Sequence, residues 1–325
     1  MRAAYYEKNG AARDVLSVSD VDTPQPGPGE VRVRLKTSGV NPSDVKAREG
    51  RTRKIGFPRV IPHSDGAGDI DMVGEGVPAA RKGERVWIWN AQWKRPFGTS
   101  AEYIVLPSAM AAPLPLSASY EAGACLGIPA MTAYHAVAVS GVTAGSKVLI
   151  TGGAGGVGHY AIQFAKARGA TVLATVSSEA KADLARQAGA EHTIDYKRED
   201  VGERVMALTF KAGVDAVIEM DLAANAKFYP GWLRPRGHAV VYGTGSAEAT
   251  IPAQPLLVNA MKIEFIFVYE LSAPERTATI AAINRMIESK TLINNVALTL
   301  PLDDIAAAHE AVEQGKTMGN VVVTL

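Results

Sequence analysis

Lys147-Val148-Leu149-Ile150-Thr151-Gly152-Gly153-Ala154-Gly155-Gly156-Val157-Gly158 is a short apolar run feeding a glycine-rich stretch that opens onto Ala161-Ile162-Gln163-Phe164-Ala165. The run reads as a strand, the glycines as a tight turn, and the apolar residues beyond as the buried face of a helix. Gly153, Gly155 and Gly158 fall on the G-x-G-x-x-G spacing. In that pattern the first glycine makes the turn, the second lets backbone approach a pyrophosphate, and the third lets helix pack closely on strand. The turn from Gly153 through Ala154 to Gly158 is therefore the candidate phosphate site, because a helix start offers unpaired N–H groups and the positive end of its dipole.

A second β-branched run, Thr171-Val172-Leu173-Ala174-Thr175-Val176, follows the helix and ends where such folds hold the adenosine ribose. A non-phosphorylated dinucleotide wants an acid there. The chain offers Ser177 and Ser178, with Lys181 a turn further on and Tyr196 after the next short strand. Hydroxyls and a cation suit a 2′-phosphate, whereas a carboxylate repels it. NADPH is expected over NADH. Taken singly, Ser178 also reads as an N-cap and Lys181 as a solvated helix residue.

The 325 residues suffice for two domains, each with its own core. Hydrophobic residues make 47% and charged residues 21%, which excludes a disordered or fibrous chain. With 34 basic against 33 acidic side chains there is no net field to draw nucleic acid or an acidic membrane surface, and neither partner is expected. One cysteine, Cys125, excludes an intramolecular disulfide and a cysteine-rich zinc lobe. No segment has signal-peptide or membrane-spanning character. A cytoplasmic protein is the expectation.

From 1 to about 116 the chain shows short alternating runs broken by Pro and Gly, such as Glu30-Val31-Arg32-Val33-Arg34-Leu35-Lys36. These predict a compact, β-rich, partly barrel-like antiparallel domain. Helical periodicity appears at 120–124 and 131–137. Beyond the opening strand, a helix near 180–187 and further runs at 192–195, 205–209, 214–220, 237–242 and 263–268 give the alternation of a doubly wound parallel sheet. A helix near 275–288, a run at 296–300, a helix near 303–313 and a strand at 320–325 come after a full nucleotide domain and are expected to complete the first one.

The chain resembles the medium-chain dehydrogenase/reductases, and within them the zinc-free quinone oxidoreductase, or zeta-crystallin-like, branch. The resemblance spans nearly the whole length. It is carried by Gly39-Val40-Asn41-Pro42-Ser43-Asp44, Pro62-His63-Ser64-Asp65-Gly66-Ala67-Gly68, Gly127-Ile128-Pro129-Ala130-Met131-Thr132-Ala133-Tyr134 and the glycine-rich stretch. Asp195-Tyr196 with Glu199-Asp200, Asp215-Ala216-Val217-Ile218-Glu219-Met220 and Gly243-Thr244-Gly245 add to it. It implies a GroES-like catalytic domain from 1–124 and 271–325, a Rossmann NADPH-binding domain at 125–270, and an active site in the cleft. It also implies a homodimer meeting at the last Rossmann strand. By the same resemblance Gly155, Gly156, Val157 and Gly158 touch the pyrophosphate, and Lys181 and Tyr196 the 2′-phosphate. Asn41 and Thr132 lie near the nicotinamide, Gly243 and Thr244 near the middle of the cofactor, and the backbone at Phe267 and Val268 at the carboxamide.

Zinc alcohol dehydrogenases of this superfamily carry a cysteine ligand where this chain has Asn41, and a His-Glu pair where it has Ser64-Asp65. Catalytic zinc needs three convergent ligands, so no metal is expected, and His63 and Cys125 read as packing residues. Without a Lewis acid, alcohol oxidation loses its alkoxide stabiliser. An electron-poor quinone needs only a hydrogen bond or a nearby cation for the anion formed on hydride transfer. Asn41 and Lys46 are the candidate catalytic residues for that oxygen; Asn41 also reads as a turn residue and Lys46 as a solvated cation. Quinone reductases of the family usually have tyrosine where this chain has Lys46. Related enoyl reductases have a proton-donating tyrosine where it has Arg51-Thr52-Arg53.

Trp87, Trp89 and Trp93 crowd one segment. Period-two aromatics read as core, and the loop beyond Trp89 as a wall for an aromatic substrate. The six histidines are scattered without ligand spacing, and no hydrolase motif is present. The sequence thus predicts an NADPH-dependent, zinc-independent reductase of a quinone-like small molecule. An enone or alkenal reductase, and an NADPH-binding protein with little turnover, stand as alternatives.

Overall fold

Alternating burial along 30–40, with Val31, Val33 and Leu35 inward, makes that run a strand covered on one face. A computed structural model describes residues 1–315 and 317–325. The chain divides into one unit of Met1–Pro129 with Ile280–Leu325 and a second of Ala130–Thr279. The sequence had put these boundaries at 124/125 and 270/271.

The first unit opens with β1 (Arg2–Tyr5), α1 (Ala12–Val15) and β2 (Ser17–Asp20), β1 and β2 forming an antiparallel pair. Then come β3 (Glu30–Val40), α2 (Pro42–Glu49), β4 (Asp65–Val73), β5 (Arg85–Ile88), β6 (Tyr103–Pro107), β7 (Ala111–Pro113) and α3 (Tyr120–Gly123). Val31, Val33, Leu35, Ile70, Val86, Ile88, Ile104 and Leu106 form its core.

The second unit alternates as α4 (Met131–Val139), β8 (Lys147–Ile150), α5 (Gly156–Ala167), β9 (Thr171–Val176), α6 (Glu179–Ala188), β10 (His192–Asp195), α7 (Val201–Leu208) and β11 (Val214–Glu219). It continues through α8 (Leu222–Asn225), α9 (Tyr229–Trp232), β12 (Leu233–Val241), α10 (Ala253–Val258) and β13 (Lys262–Phe265). The strands pair in parallel in the order β10-β9-β8-β11-β12-β13. The order reverses between β8 and β11, the switch point at which doubly wound sheets bind ligands beyond the carboxyl ends of their strands.

Helix α11 (Ala273–Glu288) runs through the second boundary. Strand β14 (Val296–Pro301), α12 (Ile305–Glu313) and β15 (Asn320–Thr324) then complete the first unit. Its larger sheet runs β14-β15-β3-β4-β5-β7, with β6 also on β3.

One run takes its type from the structure and one differs from the sequence reading. The 205–209 run, left untyped by the alternation, belongs to the end of α7 and the residue after it: Val201, Val205 and Leu208 recur at helical spacing and pack on one core. The 263–268 run stops as a strand at Phe265, and Val268 opens a single turn of 3-10 helix through Glu270.

Candidate cofactor and active site

In the second unit the glycine turn is tied to both strands that flank β8. Gly152 N–H donates to Thr175 Oγ1 at 3.0 Å and Gly153 N–H to the Thr175 carbonyl at 2.9 Å, both at the end of β9. On the other side the Thr151 hydroxyl donates to Glu219 Oε1 at 2.9 Å and accepts from Met220 N–H at 2.9 Å, at the end of β11. The turn residue with positive φ is Gly152 at +67°, one place before the glycine the motif assigned to that role. Gly153 is required by crowding instead: a Cβ there meets Ala174 Cβ at 2.8 Å. Gly158 fulfils the packing role, since a Cβ would lie 2.2 Å from the Gly152 carbonyl oxygen.

Gly155 is the N-cap of α5 and has no side chain with which to cap it. The N–H groups of Gly156, Val157 and Gly158 in the first turn lie beyond the reach of the helix's own carbonyls. No acidic residue stands in that turn. A Cβ on Gly155 would meet only one atom within 4 Å, at 3.3 Å, so the approach to these donors is open. Unpaired donors, a dipole end and an open approach fit a pyrophosphate.

At the end of β9, Lys181 Nζ donates to Ser177 Oγ at 3.1 Å. Lys181 is thereby turned toward the strand end. Ser178 caps α6, accepting from Lys181 N–H at 3.4 Å, so its N-cap reading holds as well. Asp195 pairs with Val176, which sets the half-exposed Tyr196 just beyond the strand end that carries Ser177. Three of the four candidate 2′-phosphate residues are thus joined by hydrogen bonds, and the fourth follows the neighbouring strand.

Gly243 lies against the end of β11, where a Cβ would come within 2.3 Å of the Met220 carbonyl oxygen. The Thr244 hydroxyl donates to the Ser246 carbonyl at 2.7 Å. Thr132 is buried on α4. Phe267 is half-exposed and tilted against Tyr269 at 5.1 Å between ring centroids, just before the turn that Val268 opens. Glu219 escaped the sequence reading as a site residue. It is buried and accepts from Thr151, from Asp221 N–H, from Asn225 and from Tyr229, and burial raises its pKa against the pull of these donors. It therefore braces the glycine turn against β11.

In the first unit Asn41 is the N-cap of α2, with Pro42 at the first helical position, where a missing N–H costs nothing. Asn41 N–H donates to Asp44 Oδ2 at 2.8 Å, and its side-chain Nδ2 donates to Asp65 Oδ2 at 2.8 Å. All three residues are buried. Burial pushes Asp44 up to about 7 and Asp65 well above the usual carboxylate range. Asn41 is thus a cap with its amide clamped, a more constrained role than a plain turn residue. Lys46 sits one turn further along α2, which ends at Gly50 in the left-handed conformation, with Arg51 N–H bonded back to the Lys46 carbonyl. Asp44 was legible as the third residue after a capping Asn41. Asp65 carried no comparable local signal.

His63 accepts or donates at Nδ1 with Ser38 (2.8 Å) and Ser100 (2.6 Å), and its Nε2 meets His309 Nε2 at 2.9 Å. Burial lowers its pKa to about 3, which keeps the ring neutral. Cys125 is buried and its thiol donates to the Glu121 carbonyl at 3.2 Å. Both are occupied in packing. Trp87 and Trp89 are core, at 0% and 6% exposure, while Trp93 is partly exposed in the loop beyond them.

The family model described as "Alcohol dehydrogenase GroES-like domain" matches residues 27–116, and the one described as "Zinc-binding dehydrogenase" matches 156–286. Quinone oxidoreductase of Rattus norvegicus is 31% identical over 330 residues, covering 100% of this chain and 98% of the relative. A 2-haloacrylate reductase of a Burkholderia species is also 31% identical, over 99% and 98%. The solved structure of a mycobacterial protein complexed with NADPH superposes with a TM-score of 0.89 at 29% identity, each chain fully covered. With a doubly wound parallel sheet in one unit and a β-rich second unit, the chain belongs to the medium-chain dehydrogenase/reductase superfamily, in its quinone oxidoreductase branch, and is a nicotinamide-dependent oxidoreductase.

Proposed function

We propose that the protein is an NADPH-dependent, zinc-independent reductase that passes hydride to a quinone-like acceptor. The observation that carries the cofactor choice is the Lys181–Ser177 hydrogen bond at the end of β9, a cation and a hydroxyl where an NAD site has an acid. Gly153, Ala154, Gly155, Gly156, Val157 and Gly158 hold the pyrophosphate in this reading, Ser177, Ser178, Lys181 and Tyr196 the 2′-phosphate, and Gly243 and Thr244 the centre of the cofactor. Thr132, Phe267 and Val268 serve the nicotinamide end. When bound, the reduced nicotinamide supplies the hydride.

Asn41 and Lys46 take the acceptor's developing oxyanion. An amide nitrogen has two N–H groups; Asp65 engages one of Asn41's, which orients the other. Lys46 adds a positive charge, and water delivers the proton that completes the hydroquinone. Donors held in place before reaction stabilise the developing charge without reorganising. No metal enters this scheme, because Asn41 stands at a zinc-ligand position and His63 and Cys125 are engaged elsewhere.

The 31% identity to a 2-haloacrylate reductase favours a second reading, reduction of an activated carbon–carbon double bond with the same cofactor. Loss of 340 nm absorbance with NADPH and a panel of quinones and enals separates the two. Turnover of quinones with a KM for NADPH well below that for NADH is expected; a clear NADH preference sinks the cofactor assignment, and turnover of enals alone sinks the quinone reading.

A homodimer and a cytoplasmic location belong to the same proposal. Among the described residues strand β13 is the edge of its sheet and bonds only to β12, and its last residue, Phe265, is 69% exposed. No helix among the described residues is long and apolar enough to cross a membrane, and the one cysteine is a buried thiol.

A further inference from the structure

The nine residues Lys46-Ala47-Arg48-Glu49-Gly50-Arg51-Thr52-Arg53-Lys54 carry five basic side chains and one acidic, in a chain whose 34 basic and 33 acidic residues otherwise nearly cancel. Near-zero net charge conceals this local excess. Arg48 is consumed internally: it is buried and donates to the Gly10 carbonyl and to Glu313. Lys46 and Arg48 in the last turn of α2 also complement its dipole. Arg51 pairs with Glu49 at 3.4 Å; Arg53 and Lys54 lie past the helix end.

Arg53 donates to the Gln92 side chain, and its guanidinium lies 5.3 Å from the centroid of the Trp93 ring. Lys94 Nζ lies 5.4 Å from the same ring. The loop that carries the indole is built, with left-handed backbone at Asn90 and Lys94 and hydrogen bonds from Ala91 N–H to the Ser64 carbonyl and from Gln92 to the Arg95 carbonyl. Arg53 also acts electrostatically on Asp44, the residue that receives Asn41 N–H. An aromatic plane flanked by cations therefore lies within electrostatic range of the α2 start where Asn41 sits. A neutral quinone uses the plane alone. An acceptor that bears a carboxylate uses both, stacking its ring on the indole and giving its acid to a planar guanidinium.

We propose that the natural acceptor is a carboxylate-bearing quinone-like compound, its ring on Trp93 and its acid held by Arg53 with support from Lys94. This rests on the quinone reductase reading above. Two electrons and one proton leave the reduced nicotinamide as hydride, a second proton comes from water, the quinone becomes a hydroquinone, and the carboxylate is unchanged.

The test uses the full chain in two assays. Without nucleotide, calorimetry compares naphthoate with its neutral amide; naphthoate should bind about tenfold tighter at low salt, the worth of one favourable charge pair. R53Q should erase that ratio, and K82Q, at an exposed lysine outside the cluster, should leave it intact. With NADPH, kcat/KM for a carboxylated benzoquinone should exceed that for its methyl ester by a similar factor, which R53Q should lower through KM. Equal binding of acid and amide overturns the inference, as does a single-stranded RNA oligonucleotide that binds this face with steep salt dependence while naphthoate does not. Equal turnover of acid and ester overturns the carboxylate alone and leaves the quinone reading standing; turnover of neither overturns both.

Discussion

Asn41 donates its side-chain N–H to Asp65 Oδ2 at 2.8 Å, at a point where Asn41 is 5% and Asp65 0% exposed. Burial pushes the Asp65 pKa up, which favours the neutral acid in contact with Asn41. A neutral acid and an amide share shape, and each keeps a carbonyl oxygen that can accept from Asn41. D65N should therefore cost less than about 1 kcal/mol, whereas D65A, which leaves the Asn41 amide without its acceptor, should cost about 2 kcal/mol. Urea unfolding of the two variants measures this. Equal losses would show that the carboxyl is charged or that the bond is idle.

The glycine turn separates a packing requirement from a binding one. Alanine at 158 places its Cβ 2.2 Å from a backbone carbonyl oxygen that cannot swing away, and should destabilise the protein by about 3 kcal/mol. Alanine at 155 meets ordinary backbone angles and one atom at 3.3 Å. G155A should keep its Tm within about 2 °C of the parent. Its methyl group fills the approach to the first-turn donors, so NADPH affinity should fall about tenfold or more, as read by titration of nucleotide fluorescence. An unchanged affinity in G155A would remove the pyrophosphate from this turn.

Period-two and period-3.6 patterns made the sheets and helices readable, because a strand or helix with one covered face must repeat its apolar residues. The parallel character of the sheet around β8 followed from the same alternation. The 205–209 run was ambiguous for the opposite reason: over five residues both periods fit, and only Val201 ahead of it reveals the helix. Within the site, Lys181 and Ser177 were visible because they stand a fixed distance after a motif. Asp65 and Glu219 were not, since each acts through partners 24 and 68 residues away on neighbouring strands. Pairing register, which no local spacing encodes, brings them to Asn41 and Thr151.

His63 and Asp44 titrate in opposite directions on folding. The His63 pKa falls from 6.5 to about 3 on burial, so between these values the unfolded chain binds the extra proton and stability falls as pH drops. The Asp44 pKa rises from 3.8 to about 7, so the folded chain holds the extra proton there; that contribution is complete below 3.8 and is lost as pH rises through 7. Between about pH 4 and 6.5 the two slopes, each about 1.4 kcal/mol per pH unit at its steepest, oppose one another. D44N removes one of them. Relative to the parent, its stability should decline by about 1 kcal/mol per unit as pH falls from 6 to 4, in urea unfolding at stepped pH. Parallel curves would mean that Asp44 is ionised in the folded protein.

Among the described residues strand β13 bonds to β12 on one side and to nothing else in its sheet, while its last residue, Phe265, is 69% exposed and Leu257 and Val258 on α10 are 79% and 73% exposed. An open edge with apolar side chains around it is a template for a second copy, and a two-fold axis makes the same patch serve both chains. In the proposed homodimer the two β13 edges face each other across that axis, so one substitution is felt twice. F265E sets two carboxylates near the axis and removes two buried rings, and should shift the protein from dimer to monomer at micromolar concentration in sedimentation velocity. The parent should sediment as a dimer under the same conditions. A monomeric parent would leave the exposed edge unexplained and withdraw the homodimer.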